Sequence, residues 1–240
     1  MAPIKRNIGI IGDGPTDRII FTKIVECILT EEDPSKEFID CNIIELQRQK
    51  IFDFIQEYVK AKEENVPQNP QHLVNSVTGV LLSGFYELIS QVELCNCDII
   101  ILTTDSEQVL GMPDNYFNYG IELFHILSEA AIKFYGAVLA QGYPQNNIPL
   151  VLPIITFPST EILIAAARGL KIADYYGKKP LELKQMIYNV PDDRTVSDED
   201  LKSKALDHIT LEGIENIFKN IPESRYFIQT LSTYKFSCCL

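Results

Sequence analysis

The chain has 240 residues, 46% hydrophobic and 22% charged, enough to bury a sizeable core in one large domain or in one domain with a small appendage. Its net charge of -12 repels polyanions at long range, so nonspecific duplex binding by the chain alone is expected to be weak, and a basic protein partner would supply most of any grip on nucleic acid. No uninterrupted apolar run approaches the ~20 residues of a bilayer span, and the start MAPIKRNIGIIG lacks the ordered regions of a signal peptide, so a cytoplasmic protein without membrane association is expected.

The first predicted strand is the β-branched run Ile8 to Ile11. From Thr16 the pattern turns helical: Ile20, Ile24 and Ile28 recur at a spacing of four, and Phe21, Val25 and Leu29 widen the apolar stripe until Pro34 ends it. A strand follows at Asn42 to Leu46, then helices at Ile51 to Lys62 and Leu73 to Glu93, separated by the polar loop ENVPQNPQH. The segment CDIIILTTD is the clearest strand, Ile99 to Thr103, leading into Asp105. QVLGMPDNYFNYG reads as loop, and Ile121 to Leu139 as an amphipathic helix. IPLVLPIITF is a further strand whose Pro153 argues for an edge or a break. A helix then runs from Ser159 or Thr160 through Ala167, with Glu161 in its first turn.

This alternation predicts an α/β fold with a mainly parallel central sheet and helices on both faces. The expected division is an α/β domain over 1–175 and a helical C-terminal extension over 176–240 packed on it.

Open parallel sheets bind ligands at the carboxyl ends of their strands. Asp13 follows the first strand, Asp105 and Glu107 the strand at 99–103, and Glu161 the last strand. If those strands are neighbours, the carboxylates converge. Several carboxylates in one crevice raise each other's pKa unless a cation is present, and hard ions such as Mg²⁺ or Mn²⁺ take oxygen ligands. Structural readings stand beside this one: Asp13, Asp17 and Glu161 each suit a helix N-terminus, where the dipole favours negative charge. The six cysteines and three histidines show no zinc-ligand spacing, and no P-loop, dinucleotide fingerprint or nucleophile elbow is present.

GIIGDGPTDRIIF resembles the first signature of the Toprim superfold, an acidic residue then Gly at a strand end with an Asp in the following helix turn. IIILTTDSE resembles the second, a hydrophobic strand leading into Asp-x-Asp. Within that superfold the chain is similar to the bacterial domain-of-unknown-function family 4276, through Asp13-Gly14-Pro15-Thr16-Asp17, ITFPSTEILIAAARG around Glu161, and SRYFIQTL near the C-terminus. The resemblance implies Mg²⁺-dependent phosphodiester cleavage, in bacteria often within defence or mobile-element systems. It puts Asp13 at the general acid–base position and makes Asp105 and Glu107, with Asp13 and Glu161, the metal ligands. Gly14, Asp17 and Arg18 would support that site. Asp13 stands where the superfold has Glu, and Glu107 where it has Asp. One methylene moves a carboxylate by ~1.5 Å, and a displacement near 1 Å can cost ~100-fold in rate. A catalytically degenerate binding or regulatory module is therefore the alternative.

Overall fold

The computed structural model describes residues 4–12, 15–30, 39–46, 50–94, 98–105, 113–156, 159–171, 174, 178, 180–188 and 206–237. Two compact units contain them: Met1–Gly14 with Glu37–Ile155, and Pro15–Lys36 with Thr156–Leu240. The helices beyond residue 176 thus belong to one unit with the early helix that begins at Pro15, and the divisions fall at residues 14/15, 36/37 and 155/156.

The first unit is built on a four-stranded, all-parallel sheet. Its strands are β1 (Ile4–Ile11), β2 (Ile39–Glu45), β3 (Ile99–Asp105) and β4 (Leu150–Thr156, whose last residue belongs to the second unit), in the order β2-β1-β3-β4. This is the expected α/β fold with a helical C-terminal part. β1 pairs with β2 from Ile4↔Ile39 to Ile10↔Glu45, and with β3 from Ile8↔Ile99 to Ile11↔Leu102. β1 and β3 are central, and Ile8, Ile10, Ile99, Ile100, Ile101 and Leu102 are all at most 1% exposed. That explains their continuous aliphatic runs, because a central parallel strand is buried on both faces. β4 lies at the sheet edge, where the missing N–H of Pro153 is tolerated.

Three helices of this unit, α2 (Lys50–Glu63), α3 (Pro70–Gln91) and α4 (Pro113–Ala140), share one apolar core with Ile11, Ile100 and Leu102. α3 starts under good local control: Asn69 accepts the Gln71 N–H at 3.0 Å, and Pro70 occupies the first turn. At Gly84 the helix comes close to the sheet, where an added Cβ would lie 3.0 Å from Ile11 Cδ1 and 3.4 Å from Leu46 Cδ1. α4 begins at Pro113, earlier than the loop reading of QVLGMPDNYFNYG predicts. The same proline that signals a turn also suits the first helical position. By length and composition, α3 and Gly120–Ala140 of α4 are each long and apolar enough to cross a membrane, although polar residues interrupt both. In this unit their buried sides are core: Val77, Leu81 and Phe85 from α3, with Leu127, Phe134 and Val138 from α4, are fully buried.

At the amino end of β3, Asp98 stitches the sheet. It is 2% exposed and accepts Asn7 N–H at 3.0 Å and Asn7 Nδ2 at 3.4 Å, while its carbonyl accepts Leu150 N–H at 2.9 Å. Asn7 Oδ1 in turn accepts Asn42 Nδ2 at 3.2 Å. One side-chain pair therefore ties residues of β1 and β2 to the entry of β3, and the Asp98 backbone holds β4.

α2 and α4 are joined by a polar tie. Tyr58 Oη donates to Glu122 Oε1 at 2.6 Å, Lys62 Nζ donates to Glu122 Oε2, and Lys62 lies 5.2 Å from the Tyr58 ring centroid. Burial, then the Glu122 hydrogen bond and charge, push the Tyr58 phenol far up, so it remains a donor. Partial burial pushes Glu122 up, but the Lys62 and Tyr58 hydrogen bonds and the Lys62 charge outweigh it and hold the carboxyl below its ordinary 4.5. A depressed acid contributes stability above its unfolded pKa and loses it as pH falls through the folded one. Glu122→Gln should therefore melt below the wild type at neutral pH, by the modest amount of a half-exposed tie, ~1 kcal/mol or less. The gap should close as pH drops well below the ordinary 4.5. A gap constant from pH 7 to 3, measured by thermal denaturation, would contradict this.

The second unit contains α1 (Pro15–Thr30), α5 (Glu161–Ala167), α6 (Pro180–Tyr188), α7 (Leu211–Asn220) and α8 (Ser224–Ser237). Phe21 of α1 meets Phe227 of α8 edge to face at 5.5 Å between centroids. Arg168 Nη1 donates to Ile187 O at 2.6 Å, fastening the end of α5 to α6. Thr210 caps α7 through the Gly213 N–H at 3.1 Å. Arg225 closes the other end, donating from Nε to Phe218 O at 3.0 Å and from Nη2 to Lys219 O at 3.1 Å. Gly213 is confined, since a Cβ there would meet His208 O at 2.1 Å and Ala167 Cβ at 3.2 Å. The first is a backbone atom that cannot swing aside. Gly213→Ala should cost about 2 kcal/mol by overpacking and lower Tm by roughly 4–8 °C. Gly79→Ala, on an exposed stretch of α3 with nothing within 4 Å, should instead stabilise by ~1 kcal/mol through helix propensity. Equal Tm shifts for the two variants would refute the steric account.

Candidate functional site

Asp105 is the last residue of β3. Its side chain, together with Asp13, Gly14 and Glu107, lies outside the described residues. Their strands are placed: Ile11 ends β1 opposite Leu102 of the adjacent, parallel β3. Along the chain Asp13 comes two residues after Ile11, and Asp105 three after Leu102. β4, which precedes Glu161 in sequence, is the other neighbour of β3.

In the second unit the sequence-predicted Asp17 and Glu161 are both buried and accept hydrogen bonds from the successive hydroxyl residues Thr160 and Ser159. Asp17, in the first turn of α1, is 3% exposed, and Glu161, the first residue of α5, is 4% exposed. Arg18 is exposed. Thr160 Oγ1 donates to Asp17 Oδ1 at 2.6 Å, across 143 residues of chain. With that proton committed, the 3.3 Å contact between the Thr156 and Thr160 hydroxyls is one in which Thr156 donates. Ser159 Oγ donates to Glu161 Oε2 at 2.6 Å. Buried carboxylates need such donors, and hydrogen bonds to ionised acceptors are the strong ones. Thr160 precedes α5 yet makes no side-chain capping bond, because its hydroxyl is turned to Asp17.

A dipole partner for α1 alone does not describe Asp17. The hydroxyls of Thr156, Ser159 and Thr160, each at most 2% exposed, were not singled out from sequence. The signal was there in TFPSTE, three hydroxyl residues between a strand end and an acidic helix start. Asn7 and Asp98 were missed as well, and for them no local pattern exists.

The chain matches no family model, no curated protein and no solved structure.

The candidate ligands Asp13, Asp105 and Glu107 follow strands of the first unit, and Glu161 opens α5 of the second; each offers carboxylate oxygen, the donor type that suits Mg²⁺ or Mn²⁺ and not a soft-ligand metal. Among the described residues no three His, Cys, Asp or Glu side chains gather to hold an ion. One described atom fits a polar ligand near the end of β3. Thr103, two residues before Asp105, is 1% exposed, and its hydroxyl has no hydrogen-bond partner among the described residues. An orphaned buried hydroxyl costs ~1–3 kcal/mol unless another polar group meets it.

Proposed function

We propose that the chain is a Toprim-like protein that cleaves phosphodiester bonds with Mg²⁺ or Mn²⁺. The observation that carries this reading is strand adjacency. β1 and β3 are parallel neighbours, so the chain leaves both at the same edge of the sheet, immediately before or at the two acidic positions the motifs single out. Had the two strands been separated in the sheet, the constellation would have had no basis. The carboxylate donor type supports it further.

In this reading Asp105 and Glu107, with Asp13 after β1, would hold the ion; Glu161, the other acidic candidate from the sequence, opens α5 of the second unit. When bound, the ion polarises the phosphate and lowers the pKa of a water. Asp13 moves the proton as general acid or base, the part the superfold resemblance gives it. Because the chain is strongly acidic, its grip on nucleic acid falls to local contacts or to a basic partner.

The binding-module alternative has one observation in its favour: the Glu161 and Asp17 carboxylates already accept hydroxyl hydrogen bonds. A melting experiment tests the metal proposal for both readings. Mn²⁺ at ~100 times its Kd should add ~2.7 kcal/mol of stability, a rise in Tm of several degrees. An unchanged Tm at millimolar Mn²⁺ and Mg²⁺ sinks the metal site. A rise without cleavage of plasmid or single-stranded DNA selects the binding module.

A further inference from the structure

The outward side of α4 carries apolar residues that the first unit leaves uncovered: Ile121 is 70% exposed, Ile132 72%, Leu139 45% and Tyr135 36%. At 100° per residue these four fall within one stripe, together with His125, Ser128 and Gly136. We propose that this face of α4 is the contact surface of a symmetric dimer with a second copy of the chain.

The occupant is argued from the order of residues along the stripe. Laid antiparallel on itself about the level of residue 130, α4 sets Ile121 against Leu139, His125 against Tyr135, and Ser128 against Ile132 of the second copy. Each large side chain meets a different partner and the pattern repeats on the other side of the dyad, as a twofold interface requires. Gly136, exposed and with nothing within 4 Å of an added Cβ, leaves room for the facing helix.

Charge fits the same register. Glu129 and Lys133 lie on one flank of the stripe, tethered to Gln71 Nε2 at 3.2 Å and Asn75 Oδ1 at 3.1 Å of α3. In the antiparallel arrangement Glu129 falls about 3 Å along the axis from Lys133 of the second copy, since two residues rise ~3 Å. The two glutamates and two lysines form a neutral set on the dyad. A lipid surface suits the stripe less well, because His125 interrupts it, Glu129 flanks it and the chain's charge of -12 opposes anionic membranes.

Area sets the expected strength. The span 121–139 is about 27 Å long. With the neighbouring flank of α3, where Tyr86 is 43% exposed, the strip is roughly 20 Å wide. The total buried by two copies is then ~1,100 Å², near the lower bound for stable interfaces, so association in the micromolar range is expected.

Sedimentation equilibrium on the full chain tests this. At ~50 μM the wild type should weigh close to twice 27.2 kDa and dissociate on dilution to below ~1 μM. Ile132→Glu should weigh 27.2 kDa throughout, with an unchanged circular dichroism spectrum. Glu129→Lys should weaken association at least ~10-fold, and adding Lys133→Glu to it should restore it. A wild type that stays monomeric at ~50 μM, or an Ile132→Glu variant that still dimerises, overturns the proposal. So does a monomer that floats with neutral phosphatidylcholine vesicles, which would give the face to lipid.

Discussion

Asp105→Asn should reduce Mn²⁺-dependent cleavage of plasmid or single-stranded DNA at least ~100-fold, since even outer-shell partners of metal ligands cost 10–100-fold. The substitution keeps the shape of the side chain and removes the charge that would bind the ion. It should also abolish the rise in Tm that Mn²⁺ gives the wild type, while Tm without metal changes little. The metal-free control is what separates a ligand from a structural residue. If Asp105→Asn cleaves as fast as the wild type, Asp105 is not a ligand and the proposed centre fails. If the Mn²⁺ effect on Tm disappears in a protein that never cleaved, Asp105 is still a ligand and the chain is the degenerate binding module.

Asp98→Ala should destabilise the first unit by about 3 kcal/mol, the sum expected when a charged acceptor is lost and a buried donor is left unsatisfied. The donor is the backbone N–H of Asn7 at 3.0 Å, in a central strand where water does not replace the acceptor. Asn7 would also lose its Nδ2 contact and, with it, some hold on Asn42 at 3.2 Å. Asp98→Asn keeps one carbonyl oxygen for the Asn7 N–H and should cost less, ~1–2 kcal/mol. Urea denaturation of the two variants tests this. A loss below ~0.5 kcal/mol for Asp98→Ala would show that the stitch contributes little, and equal losses would show that the carbonyl kept in Asp98→Asn does not serve the Asn7 N–H. A large effect would also bear on the candidate site, because the pairing of β1 with β3 that Asp98 helps to hold brings the chain to Asp13 and Asp105.

What could be read from the sequence was what depends on neighbours along the chain. The Ile99 to Thr103 run, the four-residue spacing of Ile20, Ile24 and Ile28, and the proline in β4 each reflect a local requirement: burial on both strand faces, one apolar helix stripe, a missing N–H at a sheet edge. At Pro113 the local signal pointed two ways, because a proline suits both a turn and the first turn of a helix. By contrast, the partners that give the polar residues their meaning are distant. Asp98 reaches Asn7 across 91 residues and Thr160 reaches Asp17 across 143. No spacing rule links such pairs; a buried acceptor takes whichever donor the packed elements present to it.

The same distinction separates the two halves of the opening motif. From the sequence by itself, the strand before Asp13, the helix after it and the acidic character of both Asp13 and Asp17 were determined, since each is a property of adjacent residues. Tertiary structure alone decided that β3 is the neighbour of β1, that α1 shares a compact unit with α5 to α8, and that the Asp17 carboxylate is buried against the Thr160 hydroxyl. The physical reason is that strand order and burial are set by how whole elements close over one core, and that closure selects among pairings to which local propensity is indifferent.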